Sequence, residues 1–328
     1  MVSVLAFGLL MAATLLNAAA QQSVPPPPPD QETPAHVAPV PAVFEDRIAA
    51  DRLTFLKQFE GMQAGKVMKD KQFREMLGAV VPDCKLHYGW DMPLMEVLDA
   101  AMEGSKIPVH IREGRYLMVS GRNGSYVDGL IWVDLQEGIG LGGFYFHPTD
   151  SEPTPTVAIF SRQVRTEEKS IAMGQLPGAF ADDLGRWADG FRIPPITTRY
   201  FLTGSNLRVL LEHDEDYCGA GPETRAPAPV SGRTARRGGP GAQSRRCEQM
   251  NAQAADIDLE TAYYLQQVNY KTNAAAWMFV GRELADWIQG RDTACKAGPD
   301  PLGCHIHMTR EHTHVILKQD NGPKISYY

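Results

Sequence analysis

Residues 219–246 read GAGPETRAPAPVSGRTARRGGPGAQSRR, a stretch whose only large apolar residue is Val230. Such a tract cannot bury enough surface to offset the entropy of ordering its backbone. It is therefore expected to be an interdomain linker between two parts, either of which is long enough to bury a core. The 328-residue chain is thereby divided into residues 44–218 and residues 247–328. Charge follows the same division. There are 19 basic and 28 acidic residues up to position 218, six Arg against one Glu in the linker, and 7 basic against 10 acidic from 247 onward. Both foldable parts are acidic within a net charge of −7. Affinity for nucleic acid comes from neutralising phosphates, so the expected partner is cationic and not a nucleic acid. The six linker Arg residues fit a solvated tether.

Residues 2–16 form a short apolar run, which Asn17, Ala18, Ala19 and Ala20 separate from the polar Gln21 and Gln22. This is the pattern of an h-region and a small-residue cleavage site, so residues 1–20 are expected to be a signal peptide, although no Lys or Arg precedes the run. The run is too short to span a membrane comfortably, and no transmembrane segment is expected in the mature chain. Residues 21–43, with five consecutive Pro at 25–29, read as a disordered, extended leader. Export implies a periplasmic or secreted protein, in which cysteines pair. Cys295 and Cys304 bracket the turn-formers Gly298, Pro299, Pro301 and Gly303, which makes a local bridge the first choice. Cys84 with Cys218 would clamp the ends of the middle part, leaving Cys247 free or competing for one of these partners.

Apolar spacings of three and four over residues 43–82 predict one or two helices ending at Pro82, and residues 92–101 predict another, stopped by Gly104. From Lys106 the period changes to that of strands, at 107–111, 115–119, 126–135, 141–147 and 154–160, separated by turn residues such as Asn123-Gly124. A helix over 179–191 carries Phe180, Leu184 and Trp187 on one face, and a strand pair, 197–202 and 207–211, follows it. The expected class is α+β, an antiparallel-sheet middle domain with flanking helices, plus a small disulfide-held C-terminal domain of three helices.

Several constellations mimic chemistry. Gly138, Gly140 and Gly143 spell GxGxxG, but strand-like Phe144-Tyr145-Phe146 follows where a dinucleotide fingerprint needs a helix, so a hairpin turn is expected. In the run from Cys304 to His314, His305 and His312 lie nearly opposite His307 and His314 on a helix. Only His307, Glu311 and His314 share a face toward a metal, and surface histidines are the plainer reading. His213-Asp214-Glu215-Asp216 is too short for a calcium loop and reads as a polar strand end. No nucleophile elbow, general acid–base pair or P-loop is visible, so neither enzyme activity nor a cofactor is expected.

C-terminal to the linker, residues 253–270 place Leu259, Tyr263 and Gln266 on one helical face. Asn273 is a suitable N-cap for a helix to Asp292 with Trp277, Val280, Leu284, Trp287 and Arg291 at three and four spacing. A third helix carries Met308, Val315 and Ile316. Met250-Asn251, Ala254, Asp256, Leu259 and Tyr263, then Trp287-x3-Arg291-Asp292-x2-Cys295, then Cys304-x3-Met308-Thr309, resemble the LprI-type lysozyme inhibitor family of bacterial envelope proteins. The likeness covers residues 247–320. It departs at Gln253, near which the family usually has a Cys, and at His312, where it has an Arg. The resemblance implies an exported helical domain that blocks lysozyme or another cationic cell-wall-acting enzyme. Electrostatics adds that an acidic domain is steered to a basic enzyme, with Glu283, Asp286 and Asp292 as the binding residues on the exposed side of the central helix. Trp287 and Arg291 are expected to hold the bundle. Two other readings stand beside this one: an envelope interaction protein whose partner site lies in residues 44–218, and a wall hydrolase, for which no carboxylate pair is apparent.

Overall fold

The computed structural model describes residues 42–319, apart from 43, 88–90, 124–126, 148–154, 219–239, 269 and 271–272. The expected signal peptide, the leader and most of the linker therefore lie outside the described residues. The fold is α+β, as its periodicities predict. A small hairpin of β1 (Lys85–His87) and β2 (Asp91–Pro93) precedes an eight-stranded sheet. The sheet consists of β3 (His110–Arg112), β4 (Tyr116–Asn123), β5 (Val127–Asp134), β6 (Ile139–Phe146), β7 (Thr156–Ser161), β8 (Ser170–Ala172), β9 (Thr198–Thr203) and β10 (Arg208–Glu212), in the order 3-4-5-6-7-9-10-8. Strands β3 to β7 form an antiparallel meander. β9 then pairs parallel with β7 and antiparallel with β10, and β8 closes the far edge parallel to β10.

Every residue of β5 is buried, because both faces of the sheet are covered. On one face lie a 3-10 helix (Ala50–Phe59), α1 (Ala64–Val67), α2 (Lys71–Val80) and α3 (Leu94–Met102). Their Leu53, Phe73, Leu77 and Leu98 pack against Ile131, Val133, Phe144 and Phe160. Asp70 begins α2 by accepting from the Phe73 N–H at 3.0 Å. Gly121 and Gly129, opposite each other in β4 and β5, let α3 rest directly on the sheet, since a Cβ on Gly129 would come within 2.8 Å of Ala101. On the other face α4 (Gly178–Phe191) places Phe180 and Trp187 against Leu130, Trp132, Ile159 and Phe201. The GxGxxG glycines form a turn and a strand, with Gly138 at φ +67° between β5 and β6. A Cβ on Gly140 would collide with Val80 of α2.

Three further helices follow, α5 (Pro240–Val268), α6 (Ala274–Lys296) and α7 (Pro301–Gln319), and α5 takes in residues 240–246 of the stretch expected to be linker. α5 lies on β9 and β10, burying Leu210 with Leu259, Tyr263 and Tyr264. Cys295 is bonded to Cys304, with Cα atoms 5.5 Å apart. The expected Cys84–Cys218 clamp does not form. Cys218 pairs with Cys247 across a Cα separation of 5.0 Å, and Cys84 is a free thiol. Cys84 is 4% exposed in the core beneath the N-terminal helices, whereas Cys218 is exposed beyond β10, beside the start of α5. Burial pushes the Cys84 thiol up to about 11, with Arg208 pulling it down and Asp83 adding to the rise. The two disulfides, with no helix among the described residues long and apolar enough to cross a membrane, are compatible with an extracytoplasmic location.

Candidate functional site

α6 begins at Asn273, whose side chain accepts from the Ala276 N–H at 3.1 Å, as its N-cap position predicts. Only Val280, Arg291 and Cys295 of its 23 residues are buried, so α6 is the outer helix of the three. It is held by Val280, Leu284 and Trp287 against the apolar cluster of the three helices, by the Cys295–Cys304 bridge and by a polar junction. The Arg291 side chain, 3% exposed, donates to Asp256 of α5 at 2.5 Å, to Thr309 of α7 at 2.8 Å and to Asp292 at 2.9 Å. His305 of α7 meets the same Asp256 oxygen at 2.9 Å. The Trp287 ring stacks on His312, with centroids 4.1 Å apart and planes 4° from parallel, and His312 Nε2 lies 3.0 Å from the Tyr263 hydroxyl. Burial lowers the His312 pKa. Burial first and the Glu283 charge second raise that of Tyr263. Residues far apart in sequence, Asp256, Tyr263, Trp287, Arg291, Asp292 and Thr309, thus converge on one junction of three helices. Breaking it from the buried side, Arg291→Leu is expected to cost about 2 kcal/mol in urea unfolding, less than a fully buried pair because Asp256 is 38% exposed.

Glu283, Asp286 and Asp292 are all exposed on α6. Asp292 also serves the junction through Arg291 and lies 3.9 Å from His305. Glu283 and Asp286 are exposed near the exposed Arg282, with Glu283 close enough to Tyr263 for its charge to act on that hydroxyl. His307 and Glu311 approach to 3.4 Å on α7 but are 72% and 67% exposed, and His314 is exposed too. Among the described residues no group of three His, Cys, Asp or Glu side chains could hold a metal, so His307, Glu311 and His314 are not brought together as ligands.

The acidic run after β10 is dispersed into separate contacts. His213 takes Asp258 of α5, with Nδ1 at 2.5 Å from its carboxylate and the backbone N–H at 3.0 Å. Asp214 accepts from the Gly174 N–H, Glu215 pairs with Arg199 at 2.7 Å, and Asp216 accepts from Cys218 and Asn251. Asn251 also accepts from the Tyr217 N–H at 3.0 Å. These groups lie along the seam where α5 meets the sheet, next to the Cys218–Cys247 bridge.

On the α4 face of the sheet a second polar set was not anticipated. Asp128 pairs with Arg122, Asp134 with Arg115, and Asp183 with Arg112 and Arg186 while accepting from Trp132 Nε1 at 2.8 Å. The signal was present at Asp183, an acid set three residues after Phe180 and four before Trp187 on the apolar face of α4. Burial alone would raise the Asp183 and Asp134 carboxyls. The guanidinium hydrogen bonds outweigh it, aided by Trp132 at Asp183 and by the Gln136 and Glu137 N–H groups at Asp134, and hold both below the ordinary carboxylate value. Both stay ionised at neutral pH, so neither is a proton donor there. No protein-family model, curated protein or solved structure matches the chain.

Proposed function

We propose that this chain is an exported binding protein that inhibits lysozyme or another cationic cell-wall-acting enzyme through the outer face of α6. The observation that carries the reading is the exposure of Glu283 and Asp286 on a helix that other elements cover so little and the Arg291 junction ties to its neighbours. An acidic surface on a chain of net charge −7 attracts a basic enzyme over roughly a Debye length, about 8–10 Å at physiological salt. A rigid helix lets that attraction fix the orientation of docking. Arg282, exposed next to these acids, makes the complementary surface mixed in sign, which favours one partner over any polycation. Export accords with the apolar N-terminal run and with the paired cysteines.

The experiment is lysis of peptidoglycan by a basic lysozyme in the presence of the full chain, repeated with Glu283→Gln/Asp286→Asn. Wild-type protein is expected to inhibit. The variant is expected to need about tenfold more protein for the same inhibition, since each rim charge is worth at most about 1 kcal/mol. Added salt should weaken the wild type toward the variant. Absence of inhibition by wild-type protein would overturn the proposal. Full inhibition by the variant would move the partner site off α6, toward residues 44–218.

A further inference from the structure

Among the described residues the large apolar side chains left exposed are Met62, Met278, Phe279 and Val315. Met278 and Phe279, 59% and 64% exposed, are the most exposed of these and are consecutive on α6. Neither is needed by the fold: the next residue, Val280, is the one that enters the core. Single exposed apolar residues are ordinary, and here two in succession, about 100° apart around the helix axis, make the first turns of α6 apolar over a wide arc.

A second feature lies on the same line of the helix. Gly290 follows Phe279 by eleven residues, three turns and about 16 Å along the axis. Glycine inside a helix is destabilising relative to alanine and calls for a reason. At Gly281 the reason is internal, because a Cβ there would press to 3.2 Å from the Gln267 amide. At Gly290 a Cβ would meet nothing within 4 Å. The same open space lies at Gly78 of α2 and at Gly185 and Gly190 of α4, so Gly290 is set apart by its position in line with Phe279, where it leaves a notch on the surface. The outer face of α6 therefore runs from an apolar knob at Met278 and Phe279, through Arg282, Glu283 and Asp286, to a notch at Gly290.

Charge decides what covers it. A second copy docked antiparallel over the notch would place Phe279 on Gly290, but it would also set Glu283 of one chain against Asp286 of the other, two acids against one Arg282 on each face, between molecules each of net charge −7. A cationic partner meets no such repulsion. We infer that Met278 and Phe279 are the apolar anchor by which this chain holds a cationic cell-wall-acting enzyme, Glu283 and Asp286 steering it in and Gly290 admitting a partner side chain. This rests on the function proposed above and adds a division of labour: acids set the association rate, and the anchor sets the lifetime of the complex.

The test uses the full chain, a basic lysozyme as the probe and stopped-flow or surface-based kinetics. Met278→Ser/Phe279→Ser is expected to weaken binding about 30-fold, almost entirely through faster dissociation, with an unchanged thermal midpoint. Glu283→Gln/Asp286→Asn should instead slow association several-fold and flatten its salt dependence. Gly290→Gln should raise the thermal midpoint while weakening binding about tenfold, a combination that a purely structural glycine would not produce. If wild-type protein binds and the Met278/Phe279 variant binds within twofold of it, the anchor is wrong while the lysozyme reading stands. If wild-type protein does not bind, both fall together. A concentration-dependent dimer abolished by Met278→Ser/Phe279→Ser would give this face to a second copy and overturn the inference.

Discussion

Asp183→Ala is expected to lower the unfolding free energy by about 4 kcal/mol. Asp183 is 5% exposed and serves three donors at once. Arg112 reaches it with two nitrogens at 3.3 and 3.2 Å, Arg186 from one turn along α4, and Trp132 Nε1 at 2.8 Å. The donors differ in what they lose. Arg112 and Arg186 are 31% and 53% exposed and recover hydration, so their share is discounted. Trp132 is fully buried, stacked on Tyr116 and edge-on to Phe180, and its N–H is left without a partner. Trp132→Phe in the Asp183→Ala background removes that orphan and should recover part of the loss. A double-mutant cycle by urea unfolding measures the coupling, and strict additivity would show that Trp132 and Asp183 do not act together.

The same carboxylates set the acid limit of the protein. Asp183 and Asp134 have folded-state values below the unfolded 3.8, so the folded state binds fewer protons there. Their contribution is complete above that unfolded value and is lost as pH falls through the folded ones. Stability should therefore be flat in this respect near neutrality and fall steeply below about pH 4. Asp183→Asn, which keeps shape and loses charge, should start lower at pH 7 and decline less steeply below that point. His312 adds a shallower effect of its own. Its pKa is lowered by burial, so the unfolded chain takes up the proton first, and stability falls slightly as pH drops through the unfolded His value near 6.5.

The elements that were legible in the sequence are those with local causes. Strands β4 to β7 follow from short apolar runs interrupted by turn residues, and α6 from Asn273 and a three-and-four stripe. The parts that escaped depend on distant neighbours. Three-residue β8 exists because β10 offers it parallel backbone partners from Leu210 to Glu212. The continuous apolar run Leu130–Val133 signals that both faces of β5 are buried, but that α4 is the element returning over the second face is not encoded locally. At the candidate site, spacing identified Trp287 and Arg291 as bundle residues, while their partners on α5 and α7 are assembled only by the packing of three helices. Met278 and Phe279 fall outside the stripe of Val280, Leu284, Trp287 and Arg291, and their exposure follows from the direction of that buried face.

Replacing both Cys218 and Cys247 by Ser is expected to cost about 3.5 kcal/mol, against about 2.5 for Cys295 and Cys304, because the loops closed span separations of 29 and 9 residues. The larger loss need not free the helices from the sheet. His213 with Asp258, Asn251 with Asp216 and the Tyr217 N–H, and Arg208 with the Tyr264 hydroxyl at 2.8 Å all cross the same seam, and Leu210 is buried against α5. Urea unfolding of the double Ser variant should therefore remain one transition, shifted as a whole. Trp fluorescence and far-UV circular dichroism test this, because Trp132 and Trp187 report on the sheet and Trp277 and Trp287 on α6. If the helical signal is lost before the sheet signal, the bridge carries the seam and the polar contacts do not. Cys84 does not complicate the result. Its thiol, buried and pushed up to about 11, is mostly protonated and out of reach of a disulfide, so a thiol reagent should find no reactive cysteine in the native wild-type protein and one after unfolding.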